Sequence, residues 1–239
     1  MVTKDSIYEK DHFSNRIYEF LKAYDIKVNN FSFYKIALTH PSINNIKNRS
    51  KKDKNDYQLL EFLGDSILQF LSSRHLFNKY YDTDPGQLTL MRARLVGTKS
   101  LNNQSESIGL KNLLRTINSN MRDEILKSQK VGADIFESFV AAIYLDHNIE
   151  TVKKFLMQNL LKDINFEGIE LKDSKTKFQE EIQTFSRKAI VYQTVNTNKG
   201  FYCKAMHDNK VFGEGYGINK LDAEEAAASD ALRKLADSK

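Results

Sequence analysis

The sequence predicts an all-α domain followed by a small α+β domain of order α-β-β-β-α. Three observations predict it. Apolar residues recur at helical period from about Phe13 to Phe166, the period is lost over Asn165–Asp173, and three short β-rich runs then lie between two helix-like segments. In the first part, Leu59, Leu60, Leu63, Ile67, Leu68 and Leu71 form one broad apolar stripe. Ile135, Phe136, Phe139, Val140, Ile143 and Tyr144 form a second. Pro41 and Pro85 fall between helical segments, where proline is tolerated.

The expected division is a helical domain over residues 1–166, a linker over 167–173 and the small domain over 174–239. Thr176–Phe185 reads as a helix. Ile190–Val195, Phe201–Met206 and Lys210–Tyr216 read as strands, parted by the turn signals Asn198-Lys199-Gly200 and Asp208-Asn209. Leu221–Ala236 closes the domain as a helix with Ala223, Ala227, Ala231 and Leu235 on one face. Such small residues let a helix lie close to a sheet, giving a three-stranded sheet with two helices on one face.

Composition sets limits. Lys and Arg number 36 against 31 Asp and Glu, and the net charge of +5 suits an anionic partner as well as an ordinary soluble surface. Cys203 is the only cysteine, which excludes an intrachain disulfide and Cys-based zinc; it is expected in the core. The five histidines lack ligand spacing and read as structural. Met1–His12 has no apolar segment of the secretory kind, and no apolar run approaches the ~18 residues of a membrane span. The expectation is a soluble, cytoplasmic protein without membrane association or a small-molecule cofactor.

Glu61 and Asp65 share a helix face at i and i+4, roughly 5–6 Å apart at Cβ. Two like charges inside an apolar helix cost stability unless a cation sits between them. Gly64 raises the cost, since mid-helix glycine is ~1 kcal/mol worse than alanine; close approach by another backbone or by a substrate would justify it. Asp134 and Glu137, at i and i+3, repeat the pattern. Each pair is either neutralised by a cation such as Arg92 or Arg94, or part of a four-carboxylate cluster. Hard oxygen ligands without His or Cys select Mg²⁺ or Mn²⁺ over zinc, and such a cluster suits phosphodiester hydrolysis.

These residues also carry a resemblance. Leu60-Glu61-Phe62-Leu63-Gly64-Asp65-Ser66 resembles the signature of bacterial ribonuclease III. Asp134-Ile135-Phe136-Glu137 with Ala141–Asp146 resembles that family's second acidic helix, and Ala37–Ser42 its upstream motif. The C-terminal part resembles a double-stranded-RNA-binding domain through Thr176–Glu180, Gly213-Glu214-Gly215, and Lys220 before Ala223–Ala228. The resemblance implies an endonuclease acting on double-stranded RNA in rRNA and mRNA processing, leaving 5′-phosphate and 3′-hydroxyl ends. Glu61, Asp65, Asp134 and Glu137 would hold Mg²⁺, with Mn²⁺ able to substitute, and Asp65 and Glu137 would lie closest to the chemistry. A homodimer would carry one centre per subunit. Thr176, Gln179, Glu180 and Lys220 would contact RNA; a cation such as Lys220 at a helix N-terminus opposes the dipole but suits a phosphate.

The departures lie at Gln58, where many members have glutamate, near Pro85, where some carry a further acid, at Leu221, where a second lysine is common, and in the short turn Asn196–Gly200, which lacks a histidine. The loop between Ser42 and Asp56 carries Lys47, Arg49, Lys51, Lys52 and Lys54, and is read either as a solvated surface loop or as a phosphate contact that restores affinity. Two other functions compete: a catalytically inactive RNA-binding or ribosome-assembly protein, disfavoured by the four intact acids, and a phosphohydrolase of small nucleotides, disfavoured by the C-terminal unit.

Overall fold

A computed structural model describes residues 4–45, 55–117, 121–162, 164–166 and 172–237, and divides the chain into two compact units, Met1–Glu167 and Gly168–Lys239. The basic loop cations Lys47, Arg49, Lys51, Lys52 and Lys54 lie outside the described residues.

The first unit is helical. Its elements are α1 (Lys4–Ala23), α2 (Phe31–Ala37), α3 (Ser42–Asn45), α4 (Gln58–Lys79), α5 (Pro85–Leu95) and α6 (Thr98–Ser107), then a 3₁₀ turn (Leu110–Leu113), α7 (Met121–Lys127), α8 (Gln129–Asp146) and α9 (Ile149–Asn159). Pro85 is the first residue of α5, where its missing N–H costs nothing, and the Asp84 carboxylate caps that end by accepting from Gly86 N at 2.8 Å. Helix α8 is buried almost all round, as an apolar helix of this kind requires, and α2, α4, α6 and α9 pack against it. Phe139 meets Phe20, Tyr34 and Phe155 with ring centroids 5.4–5.8 Å apart.

Asp146 closes α8. A carboxylate at a helix C-terminus is unfavourable, and here three donors offset it: Asn29 N at 3.1 Å, Asn30 N at 2.6 Å and the Tyr34 hydroxyl at 2.9 Å. Those bonds tie the α1–α2 connection to the end of the central helix.

Helix α4 turns Leu60, Gly64, Ile67, Leu68 and Leu71 inward. Leu59, expected in the same stripe, is instead 79% exposed. The reason is geometric: at 100° per residue Leu59 falls beside Phe62, Phe70 and Phe77, all more than half exposed, on the side away from α8. Gly64 marks the crossing. A Cβ there would lie 1.8 Å from Glu137 O and 2.4 Å from Glu137 C. The close approach that justifies this glycine is therefore that of a neighbouring backbone.

The second unit has the order α10 (Ser174–Gln183), β1 (Val191–Thr197), β2 (Gly200–His207), β3 (Lys210–Gly217) and α11 (Lys220–Asp237), with an antiparallel sheet of order β1-β2-β3. Asp208 and Asn209 take φ of 49° and 60°, the left-handed pair that a two-residue hairpin turn needs and that Asp and Asn tolerate. Phe178 and Ile182 of α10 and Cys203 and Ala205 of β2 form the core with Ala223, Ala227, Ala228 and Ala231 of α11. The alanines have counterparts in the strand. A Cβ on Gly213, Gly215 or Gly217 would fall 2.3 Å from α11 backbone atoms, so alternate glycines of β3 seat the small-residue face of α11.

Candidate functional site

Close packing of α4 on α8 sets the acids opposite one another. Glu61 lies one turn before Gly64, and Asp134 lies one turn before Glu137, the residue whose backbone Gly64 meets. Carboxylate oxygens of Glu61, Asp134 and Glu137 all lie within 4.8 Å of one another. Asp134 is buried, and Glu61 and Glu137 are half-buried.

Asp65 is placed differently. Both its oxygens accept from Gln69 Nε2, at 3.1 and 3.2 Å, one turn along its own helix. Its carboxylate is not one of the three mutually close groups, yet its charge is felt at Glu137. Of four acids expected to cluster, three converge and the fourth stands beside Glu137.

Lys130 is a cation at the cluster, whereas Arg92, one of the arginines considered from the sequence, bonds elsewhere. The Lys130 Nζ lies 2.7 and 2.9 Å from the two oxygens of Asp134 and 3.4 Å from Glu61 Oε1. Arg92 donates instead to Ser73 Oγ at 3.0 Å. The signal was present as the i, i+4 spacing of Lys130 and Asp134 on one helix. A second residue missed by sequence reasoning is Tyr57, which is 4% exposed and whose phenol feels the charges of Asp134 and Glu61. Burial, then the charges of Asp134 and Glu61, push that phenol well above its ordinary range. The Tyr57 ring meets His40 edge-on at 5.7 Å. Burial holds the His40 imidazole below its usual value, against the opposing charges of Asp56 and Asp134, and its Nδ1 accepts from Ser42 N at 3.1 Å, a structural role.

The electrostatics follow from this crowding. Burial raises the Glu137 carboxyl to about 8, helped by the charges of Asp65, Asp134 and Glu61 and opposed by Lys130. Burial and Asp134 raise Glu61 also. Without a cation, Glu137 holds a proton at neutral pH. The folded chain therefore binds more protons than the unfolded chain between the ordinary glutamate value of 4.5 and about 8, and its stability falls as pH rises through that window. Glutamine is neutral throughout. In EDTA, Glu137→Gln should gain melting temperature relative to wild type from about pH 5 to about pH 8 and hold that gain above. A gap that does not change with pH would contradict this.

In the second unit the four expected contact residues separate. Thr176 and Gln179 line a cavity of about 750 Å³ together with Leu221, Arg187 and Lys188; the last two were not anticipated. Glu180 is exposed and ion-paired with Lys172 at 2.7 Å. Lys220 is the exposed first residue of α11, and Asn219 caps that end, its Oδ1 accepting from Asp222 N at 2.9 Å. Leu221 is 72% exposed, and Gln58 is exposed at the start of α4.

Residues 30–164 match the model of the Ribonuclease-III-like family, and residues 174–235 match the double-stranded RNA binding motif. The chain is 34% identical to ribonuclease 3 of Mycoplasmopsis synoviae, over 90% of this chain and 93% of that protein. It is 35% identical to ribonuclease 3 of Mycoplasma mobile, over 90% and 88%. Against ribonuclease 3 of Ureaplasma parvum the identity is 33%, over 94% and 97%. Among solved structures, the nuclease domain of ribonuclease III from Campylobacter jejuni covers 61% of this chain and 96% of its own, at a TM-score of 0.54 and 23% identity, a likeness of fold.

Proposed function

The chain belongs to the ribonuclease III family, and we propose that it cuts double-stranded RNA with Mg²⁺ held by Glu61, Asp65, Asp134 and Glu137. With a nuclease unit followed by a double-stranded RNA binding motif, it is a double-strand-specific endoribonuclease. The observation that carries the metal reading is the convergence of three carboxylates from two facing helices within 4.8 Å. An all-oxygen donor set without His or Cys fits Mg²⁺, with Mn²⁺ as a substitute. Once bound, the ion would acidify water and offset charge on the phosphate.

The chain's own residues do the positioning. Lys130 orients Asp134, and Gln69 orients Asp65. Glu137 carries the proton that must leave when a cation arrives, and Asp65 and Glu137 are the acids assigned to the reacting phosphate. Thr176, Gln179, Glu180 and Lys220 are assigned to sugar and phosphate contacts, which position the duplex without reading its sequence. The domain limits proposed are 1–166 and 174–239, with 167–173 as linker. No helix among the described residues is long and apolar enough to cross a membrane, and a cytoplasmic role in rRNA and mRNA processing fits this reading. Incubation of a long perfect duplex with Mg²⁺ should give short products with 5′-phosphate and 3′-hydroxyl ends, read by gel and by end-labelling. A duplex left intact under conditions in which single strands are cut would overturn the assignment.

Cutting both strands with one centre per chain calls for two chains. The exposed stripe of Leu59, Phe62, Phe70 and Phe77 on α4 is the surface proposed for the homodimer. Sedimentation should give twice the chain mass of 27.6 kDa for the wild type and the single chain mass for Leu59→Lys/Phe62→Lys. A wild type that stays monomeric while making double-strand cuts would remove the dimer from this picture.

A further inference from the structure

Two charged arrangements compete for the same oxygens in this site. The Lys130 ammonium sits between Asp134 and Glu61, at 2.7 and 3.4 Å, where the proposed centre would place a divalent ion. The partners differ in freedom. The Lys130 side chain is 71% exposed, whereas the Asp134 and Glu61 side chains are 9% and 26% exposed. The carboxylates are fixed by the α4–α8 packing, while the lysine sits on a long flexible stem and can return its charge to water without opening a cavity.

Resting on the metal-centre reading above, we propose that Lys130 is a resident counter-cation: it holds Glu61 and Asp134 together when no metal is bound, and it competes with the metal for them. Carboxylates this close on two packed helices repel across the helix contact, and a single ammonium offsets part of that repulsion. A divalent ion neutralises more charge and needs the same oxygens, so the ammonium must leave as it binds. Lys130 thus lowers metal affinity while preserving the site's shape in metal-free protein. The lysine is a positioning residue in this role, and no bond to substrate is assigned to it.

The full chain is the material for the test, with Lys130→Met removing the charge and keeping the stem, and Lys130→Arg restoring a cation. In EDTA, Lys130→Met should melt about 2–4 °C below the wild type, with Lys130→Arg close to wild type. In a calorimetric titration with Mn²⁺ alone, Lys130→Met should bind about tenfold more tightly than wild type, because the competitor is gone. An unchanged melting temperature in EDTA overturns the holding role. Unchanged or weaker Mn²⁺ binding overturns the competition, weaker binding showing that the lysine assists the ion instead. Glu61→Gln is the control for the metal reading. If it takes up Mn²⁺ as the wild type does, the metal centre itself is misassigned, a failure that the EDTA melts do not share.

Discussion

Glu137→Gln should cleave duplex RNA on the order of 10²–10³-fold more slowly than the wild type and bind the duplex equally well. Glutamine keeps the size of the side chain and its neutral form is close to what the fold already holds at neutral pH, since crowding raises the Glu137 carboxyl to about 8. The fold is thus spared, while the negative charge that metal binding would draw out of Glu137 can no longer form. Glu61, Asp65 and Asp134 remain, but three carboxylates, two of them partly neutralised by Lys130, hold a divalent ion less well than four. Duplex binding is assigned to the second unit and should not change. Single-turnover cleavage and a gel-shift titration in EDTA measure the two effects separately. Wild-type cleavage by the variant across Mg²⁺ concentrations would refute the role of Glu137.

Gly64→Ala should destabilise the first unit by about 3 kcal/mol, at the upper end of overpacking costs, and abolish cleavage with it. Helix propensity alone demands the opposite, a gain of ~1 kcal/mol for alanine in mid-helix. Contact decides the sign: the added methyl would sit 1.8 Å from the Glu137 carbonyl oxygen, a backbone atom of the central helix that has no rotamer in which to move away. Relief requires separating α4 from α8, and that separation pulls Glu61 and Asp65 away from Asp134 and Glu137. Urea denaturation reads the loss directly. A variant more stable than wild type would show that the two helices are not held this close.

The sequence by itself determined a good deal. Periodicity marked α4 and α8 as apolar helices, loss of the helical period followed by three β-rich runs between turn signals announced the α-β-β-β-α unit, and the motif spacing singled out Glu61, Asp65, Asp134 and Glu137. The alanines of α11 were legible as a close-packing face, while their partners Gly213, Gly215 and Gly217 were not, because a glycine in a strand does not say what approaches it. The same limit explains the rest. Spacing tells which side chains share a face of one helix; it does not tell which face meets which neighbour. Helical period puts Leu59 in the core stripe, whereas the α4–α8 crossing puts it in solvent; the charge pattern offers Arg92 as a counter-charge, whereas Lys130 stands there; and the spacing of Asp65 does not show that its carboxylate bonds to Gln69 while the other three acids converge. Tertiary structure decided these points because each depends on distances between residues far apart in the chain, and those are fixed only when packing sets the helix faces together.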